Sequence, residues 1–188
     1  METILSVLIG VGLSAACGFR IFVPFLIMSI AALSGHLDLA SGFEWVGTPY
    51  ALIAFLIATV LEVLAYYVPW LDNLLDTIAT PTAVVAGVIA TAAIITDTSP
   101  FLKWSLAVIA GGGAAAAVQV TTVALRGTSA VTTAGLGNPV VSTGELVGST
   151  ITSLLAIIVP VITFVLLLLT GYFVWRRLRR ILPRKRPA

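Results

Sequence analysis

Residues 3–33 read TILSVLIGVGLSAACGFRIFVPFLIMSIAAL, an apolar run broken only by small residues, Pro24 and one charge, Arg20. A helix crosses the roughly 30 Å hydrocarbon layer in about 20 residues, and at about 1.5 Å per residue this run would exceed about 40 Å. It must tilt, break or re-enter. Gly10, Gly12, Gly18 and Pro24 punctuate it, and proline removes a backbone donor. The reading is one long, broken helix with its irregular point between Gly18 and Pro24.

The rest of the chain has the same character. Hydrophobic residues make up 59% of it and charged residues 10%, and the mean hydropathy is +1.12. A soluble domain is about a quarter charged, and a chain this short has too much surface for its volume to hide so much apolar area from water. The expected fold class is all-α, a polytopic transmembrane helical bundle of about five spans in residues 1–175, followed by a basic tail at 176–188.

Further spans are expected at about 50–68, 81–95, 101–125 and 150–175, the last kinked at Pro160. Between them, 34–49 reads as a polar loop and 69–80 as an amphipathic surface helix. The Gly/Thr/Ser-rich stretch 126–149 reads as a connector. Gly111-Gly112-Gly113 and the alanines after it suit close helix packing. A faint echo relates Gly12–Ala16 to Gly113–Ala117, each in a glycine-interrupted helix. Together with the acidic residues Glu62 and Glu145 that follow, it outlines a weak inverted repeat of the kind built into many transporters.

Charge placement orients the bundle. Seven of the ten Lys and Arg residues are Arg176, Arg177, Arg179, Arg180, Arg184, Lys185 and Arg186. Directly after a lipid-soluble helix they are expected to face anionic headgroups on the cytoplasmic side, not nucleic acid. With five crossings the N-terminus lies outside; if 3–33 forms a hairpin, it lies inside. The expected location is the bacterial inner membrane. Ser14-Ala15-Ala16-Cys17 resembles a lipoprotein cleavage box, but no basic residue precedes it, so cleavage is not expected.

Charged residues within apolar spans are rare because lipid exposure costs a few kcal/mol or more. Arg20 and Glu62 qualify and are expected to pair, either to fix the packing of the first spans or to serve a solute or proton path. Glu145 has two readings: a member of the same polar site, or the last residue of a capping box begun by Ser142. Gln119 heads a polar stripe with Thr121 and Thr122. Asn138-Pro139 suits a helix start. Asp72 and Asp76 share a face that is expected to be solvated, although the pair also has the spacing to meet a cation.

One histidine, His36, and one cysteine, Cys17, build no persuasive metal site or nucleophilic pair. No phosphate-binding glycine loop is present, so no cofactor, metal or catalytic residue is expected.

The run Gly12–Pro24, Glu62 with Val68-Pro69-Trp70-Leu71-Asp72, Thr80-Pro81, and Gly137-Asn138-Pro139 with Glu145 resemble a bacterial membrane family catalogued only as a domain of unknown function. The likeness spans roughly 5–170. Members often carry Asp where Tyr66 or Tyr67 stands here, which puts an acidic role for that turn in doubt. The resemblance implies a fold class and membrane residence but no reaction. The functional expectation is a small channel or transporter-like protein in which Arg20, Glu62, Gln119, Asn138 and Glu145 line or brace a polar site. A homo-oligomer joined through the Gly/Ala-rich fourth span is expected. The runner-up is a non-transporting scaffold or assembly factor, and a membrane enzyme comes third.

Overall fold

Helix α1, Glu2–Cys17, is the axis of the bundle. Leu13, Ser14, Ala15, Ala16 and Cys17 are all buried, so this part of the helix is enclosed on every side. Small side chains permit that: Gly10 meets Thr91, Gly12 meets Ala156, and Gly18 meets Ala115 and Val118. Backbones that approach this closely gain packing energy that lipid cannot supply.

The structure is a computed structural model describing residues 2–181, without the side chains of residues 2, 69–76, 178, 180 and 181. After α1 come α2 (Phe22–Leu33), a 3-10 turn (Glu44–Gly47), α3 (Pro49–Ala65), α4 (Pro69–Ile94) and α5 (Pro100–Leu106). A π turn (Ala107–Gly112) joins α5 to α6 (Gly113–Thr133), and α7 (Asn138–Ile158) and α8 (Pro160–Ile181) follow. No strand occurs among the described residues. The protein is a transmembrane helical bundle: Thr77–Ile94, Pro100–Thr133, Asn138–Ile158 and Pro160–Arg177 are long and apolar enough to cross a membrane, with shorter apolar helices at Thr3–Cys17, Phe22–Leu33 and Pro49–Ala65.

The first apolar run breaks where expected, between Cys17 and Phe22, and the chain turns back there. The Thr91 hydroxyl donates to the Gly10 carbonyl at 3.0 Å, while the Ala40 amide donates to the Ala93 carbonyl at 2.8 Å. Residue 40 has therefore returned to the end of the bundle from which α1 starts. Of the two alternatives, the hairpin is the one formed. Its tip, Gly18–Ile21, lies inside the bundle.

Three stretches differ from the sequence reading. Residues 69–80 are not a separate surface helix, because α4 runs unbroken from Pro69 to Ile94 with Pro81 inside it. A membrane helix tolerates such a proline, and next to it the Thr82 hydroxyl donates to the Ile78 carbonyl at 2.6 Å. Asp72 and Asp76 fall in the first turns of α4, and their side chains lie outside the described residues.

The expected connector 126–149 is mostly helix. Its threonines fold inward on their own backbone: the Thr128, Thr132 and Thr133 hydroxyls donate to carbonyls one turn back, at 2.8, 2.8 and 2.7 Å. That bonding absorbs the polarity that reads as a loop. The true connection is 134–137, where Ala134 (φ 53°) and Gly135 (φ 85°) take left-handed conformations.

The echo between Gly12–Ala16 and Gly113–Ala117 is not one of inverted direction. Ser14 lies against Gly111 and Gly18 against Ala115, so α1 and α6 run the same way. Gly111 and Gly112 are buried against α1 and α4, which leaves those two glycines no room to serve as an interface between copies. The Pro160 kink is present: the helix is interrupted at Val159. Of the basic residues near the end, Arg176, Arg177 and Arg179 ride exposed on α8, whereas Arg184, Lys185 and Arg186 lie outside the described residues.

Candidate functional site: a buried charge centre at the hairpin tip

Glycine at position 18 lets the tip sit directly on α6, since a Cβ there would strike the Ala115 carbonyl and the Val118 side chain. Helix α1 ends as the Arg20 amide donates to the Ala16 carbonyl at 3.1 Å. The first amides of α2 then have no intrahelical partner, and no neighbouring side chain caps them. Glu62, reaching in from α3, accepts from the Ile21 amide at 2.8 Å and the Phe22 amide at 3.0 Å, one bond to each carboxylate oxygen.

The expected Arg20–Glu62 pair is thereby corrected. The two groups attract each other electrostatically, but the Glu62 carboxylate is spent on backbone amides and the Arg20 guanidinium turns to α7. Arg20 Nη2 donates to the Ser142 carbonyl at 3.0 Å and to the Ser142 hydroxyl at 2.5 Å, and lies 3.5 Å from Glu145 Oε2. Arg20 is only 1% exposed, yet its Nε and Nη1 have no hydrogen-bond acceptor among the described residues.

Glu145 is not a capping residue, because α7 starts at Asn138 and carries Glu145 into its interior. There it faces Arg126: Nε donates to Oε1 at 2.8 Å, and Nη2 contacts Oε2. Tyr66 completes the centre. The guanidinium carbons of Arg20 and Arg126 stand 4.0 and 3.9 Å from its ring centroid, a geometry in which the ring quadrupole attracts both cations.

Two arginines and two glutamates are thus gathered from the hairpin, α3, α6 and α7. Seven residues separate Arg126 from Thr133 and Glu145 from Asn138, which puts the centre about 10 Å below those helix ends.

The other expected site residues stand apart. Gln119 is buried two turns before Arg126 on α6, its backbone against Gly18. Asn138 begins α7, two turns from Glu145, with Pro139 in the first turn as expected. Three members of the centre lie outside the expected set: Tyr66, Arg126 and Ser142. The signal for two of them is periodicity. Gln119, Thr122 and Arg126 continue one helical face, as do Ser142, Glu145, Ser149 and Ser153, all buried. Such stripes appear only when 126–149 is read as helix. Tyr66 carries no comparable signal.

A polytopic helical bundle with a charge centre at a broken helix is the class of protein these features define. Within that class the chain belongs to the family DUF4126, a domain of unknown function, whose family model matches residues 7–180. Among curated proteins and solved structures, none matches this chain.

Proposed function

We propose that this protein is a small channel- or transporter-like membrane protein whose pathway for a small solute or ion runs past the Arg20 centre. The observation that carries the reading is the Arg20 guanidinium itself, buried with Nε and Nη1 lacking acceptors among the described residues. Unsatisfied donors in a water-free interior cost several kcal/mol, and an arginine kept only for packing would spend them. The break between α1 and α2 adds support, because discontinuous helices at depth are how transporters expose backbone groups to a substrate. So does the π turn beside Ser14, a backbone irregularity that recurs at functional sites.

In this reading the protein sits in the bacterial inner membrane with the basic end of α8 in the cytoplasm. A bundle this small works as a homo-oligomer. The faces free for association are the exposed apolar surface of α8, including Leu168, Leu169 and Phe173, and the groove lined by Phe101, Trp104 and Ile109.

Reconstitution into liposomes tests the proposal, with proton, cation and anion flux measured for the native chain, Arg20→Gln and Glu62→Gln. Flux that Arg20→Gln abolishes is the expected result. No flux of any kind, with variants that only lose stability, would leave the scaffold reading. That alternative draws on the closed two-point pairing of Arg126 with Glu145, which locks α6 to α7 without needing a ligand.

A further inference from the structure

We propose that the turn between α3 and α4 is a gate over the charge centre, with the Tyr66 ring as its plug and the Tyr67–Thr143 hydrogen bond as its latch. The gate deepens the pathway reading and rests on it for the transport step alone; opening is tested separately below.

Exposure falls steeply between two chain neighbours. Tyr67 is 45% exposed and Tyr66 only 7%, while Arg126, against the Tyr66 ring, is 4% exposed. The ring centroid lies 3.9 Å from the Arg126 guanidinium carbon and 4.0 Å from that of Arg20. One residue further along, at the surface, the Tyr67 hydroxyl meets Thr143 Oγ1 at 2.7 Å. Thr143 in turn adjoins Ser142, the acceptor for Arg20. This surface bond between the end of α3 and α7 is therefore one residue removed, on both sides, from the buried centre.

The direction of the bond follows from its neighbour. The Thr143 hydroxyl donates to the Pro139 carbonyl at 2.8 Å, which uses its one hydrogen, so the Tyr67 phenol is the donor in the latch. This is a neutral pair within reach of water, and water competes for both groups. Such a bond breaks and re-forms at small net cost. The Arg126–Glu145 bond beneath it is buried and meets no such competition.

Helix α3 can release the turn because little else depends on it. It packs chiefly on α2 and the 3-10 turn, and Ile57, Leu61 and Leu64 on its outer face are exposed. Glu62 pins it to the Ile21 and Phe22 amides. Past Ala65 only Tyr66, Tyr67 and Val68 precede α4, their amides donating to the last turn of α3 at 3.3, 3.1 and 3.2 Å. Helix α4 then opens on Pro69, which has no N–H for the turn to satisfy. A swing of these three residues breaks the latch and lifts the ring off both guanidiniums while Glu62 stays anchored. Water takes the place of the ring on the two cations.

The test uses the full chain in detergent. Arginines are modified with p-hydroxyphenylglyoxal and methionines are oxidised with hydrogen peroxide, in separate samples, and each site is followed by mass spectrometry. Protection is the rate in the SDS-unfolded chain divided by the rate in the folded chain. Arg126 reads the gate. Met28, fully buried in the apolar core, reads opening of the bundle as a whole. In the native chain Arg126 is expected to be at least about tenfold less protected than Met28, because local opening needs less free energy than global opening. Tyr67→Phe deletes the donor and Thr143→Val the acceptor. Each is expected to lower Arg126 protection about three- to tenfold, the range of one neutral hydrogen bond. The double variant goes no further than either single, since both lose the same bond, and Thr143→Ser behaves as native.

Equal protection of Arg126 and Met28 overturns the gate. So do latch variants that leave Arg126 unchanged, or single effects that simply add. In liposomes Tyr67→Phe is expected to raise flux by the factor seen at Arg126, and flux that it leaves unaltered also overturns the gate. Latch-dependent exposure of Arg126 with no flux of any kind overturns the pathway reading and leaves the opening of the turn standing.

Discussion

Glu145→Gln removes a carboxylate that touches both buried arginines, and its cost follows from the geometry. The guanidinium carbons lie 4.0 and 3.9 Å from one ring centroid, so the two cations are no more than about 8 Å apart. At an effective dielectric constant of about 20, unscreened repulsion at that distance is about 2 kcal/mol or more. The charge-assisted bonds from Arg126 also weaken, and breaking a buried pair from one side costs about 3–5 kcal/mol in all.

The assay is reversible unfolding in mixed micelles under graded SDS, followed by tryptophan emission, for Glu145→Gln, Arg126→Gln and the double variant. Removing both partners deletes the uncompensated charge together with its counter-charge. The double variant should therefore lose clearly less than the two single losses added together. A loss under about 1 kcal/mol for Glu145→Gln, the range of exposed pairs, would refute the buried centre, and so would simple additivity.

Four further outcomes follow from the packing. Gly18→Ala is expected to lose about 1–3 kcal/mol because its Cβ meets the Ala115 carbonyl and Val118. Gly127→Ala, with open space around it, should instead gain about 0.5–1 kcal/mol of helix stability in the same melts. Tyr66→Leu removes the ring shared by two desolvated guanidiniums and should cost about 2 kcal/mol or more in the same unfolding titration. Cys17 is fully buried, so a maleimide should label it at least a hundredfold more slowly in mild detergent than after SDS unfolding; equal rates would contradict the enclosure of α1.

How far the sequence could be read depended on whether a feature is local. The break near Gly18 was legible because glycine, arginine and proline in a lipid-soluble run are costly wherever they fall. The fold-back was not, because the direction of α2 is decided by neighbours such as Ala93, which joins the chain long after residue 40. Arg20 and Glu62 stood out as charges in apolar surroundings, yet their partners stayed hidden. Glu62 is held by backbone amides, which no residue type announces. Arg126 and Glu145 meet because a four-residue turn brings two helices together, in a stretch whose serines and threonines read as loop.

The arrangement around α1 also bears on the order of synthesis. Arg20 precedes its hydrogen-bond partner Ser142 by 122 residues. At about 5–20 residues per second, the arginine waits roughly 6–25 seconds for that partner to emerge. Glu62 emerges much earlier, only 41 residues after the amide it receives. The hairpin and α3 can therefore close first, as an early unit held by that carboxylate, before Arg20 has its partner on α7. The first helix made is then the last one enclosed, and α6 and α7 close around a segment already in the membrane.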